Sequence, residues 1–391
     1  MAELNKHSER DHALLSASSS HRWLACPPSA VAAEAYPEQD TEFTREGTLA
    51  HEVAEMLAKG KLEDPSRVYI GLVLEDHEGN LIDTPSEMVE CAEAYAEYIQ
   101  EVKTSNDAIV LLERRVDFSP WVPNGFGTCD CILIQGNVLT IIDYKYGQGV
   151  PVSATGNSQL MLYALGALND YGFAFAADVV EMHIFQPRIN NISTYRMSVS
   201  ALLDWAENTV KPTAELAARG EGKYQEGSHC TFCPHAGQCR QLSSVCKTFV
   251  ETHDLRVEVP VLAPHEMAEV LMMEPLIALW LRRVKAQAMD TLMSGGEVPG
   301  YKVVEGKQGN RKWRDELEVL GALESAGYTK EDITETLLLS PAKMDKAIGK
   351  KKVAELLGDY IDRAPGSPTI VPASDKRPEY DPSADFNNLD E

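Results

Sequence analysis

Gly127-Thr-Cys-Asp130-Cys-Ile-Leu-Ile-Gln-Gly136-Asn137-Val-Leu-Thr-Ile-Ile-Asp143-Tyr144-Lys145 is two apolar runs joined by a Gly-Asn pair. Runs of Ile, Val and Leu on either side of a two-residue turn read as a β-hairpin, with Gly136 supplying the positive φ of a type II′ turn. That register sets Asp130 directly opposite Asp143. Cross-strand partners stand roughly 5 Å apart at Cβ, and like charges there repel unless something positive lies between them. A divalent cation meets that need. Period-2 alternation sends Lys145 to the face of Asp143, and Cys129, Cys131, Ile142 and Tyr144 to the other.

Around this hairpin the pattern is mixed α/β, with helices packed on a central sheet. Apolar stripes predict helices over 46–59, 86–103, 158–168 and 202–218, and strands over 109–118, 127–134, 138–145, 179–186 and 193–199. Residues 227–246 read as a loop with three close cysteines, and 264–293 as a long amphipathic helix. Three regions are expected: 1–250, a helical region over 251–363 with N-cap signals at Thr329 and Ser340, and an extended acidic tail over 364–391.

At 391 residues and 44% hydrophobic content, the chain is long enough to bury a large core. Its first twenty residues are polar and no run approaches the ~18 apolar residues of a membrane span, so a cytoplasmic protein without a membrane partner is expected. Eight cysteines in that compartment point to metal thiolates or buried thiols rather than disulfides. A net charge of −24 disfavours phosphate binding by the bulk surface, but a metal site or a local basic groove can still hold a phosphate. The most basic stretch, Lys302 to Arg314, sets five Lys and Arg against one Glu and is a candidate DNA track. There is no Gly-x-x-x-x-Gly-Lys-Ser/Thr loop to suggest a built-in ATP motor.

Gly47-x-x-x-His51, Gly127-x-x-Asp130, Asp143-x-Lys145 and Gln159-x-x-x-Tyr163, in this order on helix, strand, strand and helix, resemble the motifs of RecB-type PD-(D/E)XK nucleases. The resemblance covers roughly residues 19–246 and implies a PD-(D/E)XK core, a mixed sheet flanked by helices. It also implies Mg²⁺ or Mn²⁺ held by His51, Asp130, Asp143 and the backbone carbonyl of Tyr144. Hard cations prefer oxygen, and the softer imidazole tilts the choice towards Mn²⁺. Lys145 would orient the attacking water and stabilise the pentacovalent transition state. Gln159 and Tyr163, one turn apart on one helix face, would hold DNA by hydrogen bonding and stacking. Glu113, on the preceding strand, is a further carboxylate outside this set.

Cys230-x-x-Cys233-x5-Cys239 and the distant Cys26-Pro27 resemble the four ligands of the [4Fe–4S] cluster in AddB-like and CRISPR-adaptation nucleases. Such a cluster would clasp the N-terminus to the far end of the core. Zinc on four thiolates, or on three with His229 or His235, is the alternative. Cys91, Cys129, Cys131 and Cys246 read as buried thiols. The nuclease-plus-helices arrangement, with Pro368 to Pro378 in the tail, is similar to an uncharacterised family common in phages and prophages. The leading expectation is a metal-dependent DNA exonuclease of phage recombination or replication, with a single-strand-binding or recombination protein as a possible partner and an oligomer allowed. A structure-specific or restriction-like endonuclease, or a non-catalytic DNA-binding factor, would carry the same motifs.

Overall fold

The computed structural model describes residues 13–36, 42–64, 73–75, 81–149, 151–252, 264–303, 349 and 352–353. Two compact units divide the chain, Met1–Gly306 and Lys307–Glu391, and every element below lies in the first. In order they are α1 (Ser20–Ala25), α2 (Ser29–Ala33), α3 (Glu42–Glu63), the short pair β1 (Val73–Glu75) and β2 (Leu81–Asp83), and α4 (Ser86–Val102). Then come β3 (Ile109–Asp117), β4 (Phe126–Gln135), β5 (Val138–Tyr144), α5 (Ser158–Tyr171), β6 (Val179–Gln186) and β7 (Asn191–Ser198). The chain continues through α6 (Val199–Trp205), α7 (Lys211–Ala218), α8 (Arg240–Thr252) and α9 (Pro264–Met293).

Strands β3 to β7 form one sheet in sequence order. All neighbours are antiparallel except β5 and β6, which run parallel because α5 crosses over between them. Helices cover both faces, which is why β4 reads as an almost unbroken apolar run. On one face Ile141, Leu139 and Ile132 pack against Leu160, Ala164 and Leu165 of α5. On the other, Ile142 and Tyr144 pack against Val53 and Leu57 of α3 and Tyr95 and Ile99 of α4. A Cβ on Gly166 would stand 2.8 Å from Val116 Cβ, so α5 lies directly on β3.

The mixed α/β architecture thus follows the apolar periodicity, with three differences. The expected helix 202–218 is broken by a π-turn at Ala206–Val210, where Pro212 has no N–H to continue the ladder. The supposed loop over 227–246 holds two short 3₁₀ turns, Ser228–Phe232 and Pro234–Gly237, and the start of α8. Helix α9, expected in a separate region beginning at 251, instead packs within the first unit, placing Leu276, Leu279 and Trp280 against Cys230, Cys233, Leu242 and Cys246. No helix among the described residues is long and apolar enough to cross a membrane. Of the basic stretch only 302–303 are described, and the N-cap signals and acidic tail lie outside the described residues.

Candidate metal centre

The hairpin turn places Gly136 at φ +59° while Asn137 stays outside the left-handed region, as a type II′ turn requires. Pairing runs from Gln135↔Val138 to Cys131↔Ile142, the register expected from the sequence, and then stops one step short of Asp130 and Asp143. There the Tyr144 N–H donates to Asp130 Oδ2 at 2.7 Å, a carboxylate standing where a strand carbonyl would otherwise be. On its other side, the β3–β4 ladder pairs Leu112 with Cys131 and Arg114 with Cys129 but skips Glu113 and Asp130. Glu113 has φ +45°, a left-handed conformation that costs a non-glycine residue about 1–3 kcal/mol. Asp130 is therefore released from both neighbouring strands.

This interruption alters the expected alternation. Cys129 packs on the α5 side and Cys131 on the α3–α4 side, so the two do not share a face. Asp130 leans towards α3, with Oδ1 3.5 Å from His51 Nδ1. Glu113 Oε1 lies 3.8 Å from the same nitrogen. His51, Glu113 and Asp130 offer ligand atoms all within 4.8 Å of one another, the one such triplet among the described residues. Asp143 leans instead towards α5, where Gln159 Nε2 donates to its Oδ1 at 3.2 Å and the Lys145 ammonium lies 3.0 Å from Oδ2. The symmetric carboxylate pair expected from the register is thus a staggered one.

The electrostatics of the two halves differ. Asp143 is 2% exposed, and burial pushes its carboxyl up to about 6 although Lys145 opposes the shift. The Lys145 ammonium donates to its Oδ1 at 3.3 Å and forms an ion pair with its buried Oδ2 at 3.0 Å. Burial lowers the His51 pKa, but Asp130 and then Glu113 outweigh it and hold the imidazole up to about 10. Two carboxylates that raise the pKa of one imidazole, with a third carboxylate nearby that is balanced by Lys145, make a donor set short of positive charge. Two carboxylates and one imidazole fit a hard divalent cation, with the nitrogen favouring Mn²⁺. His51, Glu113 and Asp130 would hold it, and Asp143, expected as a ligand, lies outside that triplet and faces Lys145. The contact described for Tyr144 is made by its N–H, and its ring is buried edge-on to His51 at 5.5 Å.

A cleft of about 490 Å³ opens beside the triplet, lined by Gly47, Thr48, His51, Glu52, Glu55 and Glu113. Gly47 lies one helical turn before His51, and a Cβ there would meet nothing within 4 Å, so the glycine widens the cleft rather than relieving a clash. Tyr163 departs from its expected role. Its ring is 7% exposed within the α5-side core, unavailable to stack on a base. Gln159, likewise assigned to DNA, is spent on Asp143, Lys145 and Tyr163. Glu113, which the sequence reading kept outside the metal set, joins His51 and Asp130 in the donor triplet. Its only signal was a place on β3 opposite Asp130 in the ladder register.

The four cysteines lie near one another without forming a tight cluster. Cys26 closes α1, and its sulfur accepts the Gln225 N–H at 3.4 Å. Cys26, Cys230 and Cys233 are buried and Cys239 is partly so. Burial raises the Cys230 thiol to about 11, reinforced by Cys233, Cys239 and Cys26 nearby. Among the described residues no three of these sulfurs come within 4.8 Å of one another. A tetrahedral zinc site with Zn–S of about 2.3 Å would hold them about 3.8 Å apart. Each histidine of the zinc alternative bonds through one ring nitrogen, His229 Nε2 with the Gln225 carbonyl at 2.9 Å and His235 Nδ1 with the Tyr36 hydroxyl at 3.1 Å, an arrangement compatible with a metal on the other nitrogen.

Comparison with known families finds a match over residues 12–378 to a family described as "Protein of unknown function (DUF2800)". Among solved structures, one titled "Crystal structure of SSO0001" aligns over 48% of this chain and 96% of its own length, at 18% identity and a TM-score of 0.21.

Proposed function

The chain belongs to the DUF2800 family of proteins of unknown function, and from that premise we propose that it is a metal-dependent deoxyribonuclease acting as an exonuclease. One observation carries the reading: His51, Glu113 and Asp130 form a donor triplet, and the neighbouring buried Asp143 carboxylate is ion-paired with the Lys145 ammonium. DNA as substrate, and a place in phage recombination or replication, rest on the motif resemblance.

A divalent cation bound here would lower the pKa of a water and neutralise charge on the phosphate oxygens. Lys145 keeps a positive charge beside the reacting phosphate, where negative charge grows in the transition state. Asp143 anchors that ammonium, and the Tyr144 backbone N–H fixes Asp130. Glu52, Glu55 and Glu113 make the cleft itself acidic, so a phosphodiester would be repelled from it until a cation is bound. Metal dependence is therefore electrostatic as well as chemical. We further propose that Cys26, Cys230, Cys233 and Cys239 hold a [4Fe–4S] cluster with a structural role, a reading that rests on the motif resemblance.

Digestion of end-labelled linear DNA and covalently closed circular DNA, with Mn²⁺, Mg²⁺ or EDTA, tests the reading. Linear DNA is expected to be consumed from its ends with either metal, and circular DNA to survive. Cutting of circles would instead support the endonuclease reading. Binding of DNA without cleavage under any metal would overturn the assignment as an enzyme.

A further inference from the structure

We infer that Gly127, Tyr163 and Gln159 form a positioning relay that holds the Lys145 ammonium against Asp143, so that three separate sequence motifs act as one device. The inference rests on the nuclease reading for its catalytic consequence, but its geometry stands alone. Gln159 bonds three ways. Its Oε1 accepts from Lys145 Nζ at 3.3 Å, and its Nε2 donates to Asp143 Oδ1 and to the Tyr163 hydroxyl, both at 3.2 Å. An amide is the side chain that does this, because it offers an acceptor to the ammonium and donors to the carboxylate and the phenol together.

What fixes the amide is the backbone on one side and Tyr163 on the other. Asn157 caps α5 by accepting the Gln159 and Leu160 N–H groups, which locks Gln159 into the first helical turn. Tyr163, one turn later, lies against Gly127: a Cβ on that glycine would meet the Tyr163 ring at 2.9 Å. With the ring buried in the core it cannot swing aside, so any larger residue at 127 would push the phenol off Gln159. Gly127 thus admits Tyr163, Tyr163 orients Gln159, and Gln159 aims Lys145. None of the three lines the cleft beside His51.

The test uses full-length Gln159→Ala, Tyr163→Phe and Gly127→Ala proteins with two readouts. The first is acetylation of Lys145 by acetic anhydride at one fixed pH, read by mass spectrometry against exposed Lys223, with buried Lys61 reporting unfolding. Lys145 is expected to label about tenfold faster in Gln159→Ala and severalfold faster in Tyr163→Phe, as hydrogen bonds to a charged group are lost. The second is steady-state DNA cleavage, where kcat is expected to fall about 10- to 100-fold in Gln159→Ala with KM within about twofold. Unchanged labelling in the folded Gln159→Ala and Tyr163→Phe proteins, or a raised KM at constant kcat, would overturn the relay. Should the wild type cleave no DNA at all, the nuclease reading fails, and the labelling result still decides the relay. Tyr163→Phe keeps the ring against Gly127, so it remains informative even if Gly127→Ala does not fold.

Discussion

Asp143→Asn and Lys145→Ala are each expected to lower kcat for DNA cleavage by about 10³-fold or more, with little change in DNA affinity. The two side chains lie 3.0 Å apart and both interact electrostatically with Asp130 of the donor triplet, so losing either removes the charge balance at the reacting phosphate. Stability should move the other way for Asp143→Asn. A raised carboxyl pKa means that the folded chain binds this proton more tightly than the unfolded chain does. Stability of the metal-free protein therefore falls as pH rises from the ordinary Asp range to about 6, and the penalty persists above that. Asparagine keeps the shape without the charge, so at pH 8 and without metal the variant should melt no lower than wild type. Residues that cost stability and carry activity mark a functional site. Wild-type cleavage by both variants would remove Asp143 and Lys145 from the chemistry.

Loss of one cysteine should be the largest structural effect. Cys26 ends α1, whereas Cys230, Cys233 and Cys239 lie in the turns on which α9 packs. Arg283 of α9 donates to the Thr231 carbonyl at 2.7 Å, and a Cβ on Gly237 would stand 2.7 Å from the Arg283 carbonyl, so this seat tolerates little rearrangement. Protein purified anaerobically is expected to be brown, with about four iron and four sulfide per chain. Cys26→Ala should lose the colour and, at a cost on the order of 5 kcal/mol, melt about 10–20 °C lower. Colourless wild-type protein carrying one zinc would overturn the cluster assignment and favour the mononuclear alternative.

The hairpin was legible because a Gly-Asn turn between apolar runs fixes register by itself, and both motif carboxylates inherit their places from it. The helix carrying His51 was equally readable, since Ala50, Val53, Ala54 and Leu57 repeat with helical period and are buried. What escaped the sequence was local and geometric. Strand periodicity assumes an unbroken ladder, and the left-handed Glu113 breaks it where Asp130 sits, turning Cys129 away from Cys131 and bringing Glu113 to His51. Propensity gives no warning of positive φ at a glutamate. Tyr163 was misread because spacing shows which side chains share a helix face but not whether that face meets solvent or a glycine on a neighbouring strand. The end of the first unit lay beyond reach for a related reason: the apolar residues of α9 do not mark one face, and only its partner, the cysteine segment, decides which unit it joins.

Binding of Mn²⁺ to the DNA-free protein, followed by pulsed EPR, tests the central claim most directly. One tightly bound Mn²⁺ is predicted, with nitrogen hyperfine coupling from His51 that disappears in His51→Ala. Because His51 is held as an imidazolium up to about 10, the cation must displace its proton, so affinity should weaken about tenfold per pH unit from pH 8 downwards. Below about 6, where Asp143 also takes up a proton, the fall should steepen. Failure to bind Mn²⁺, or binding without nitrogen coupling and without dependence on pH, would contradict a metal centre built on His51, Glu113 and Asp130.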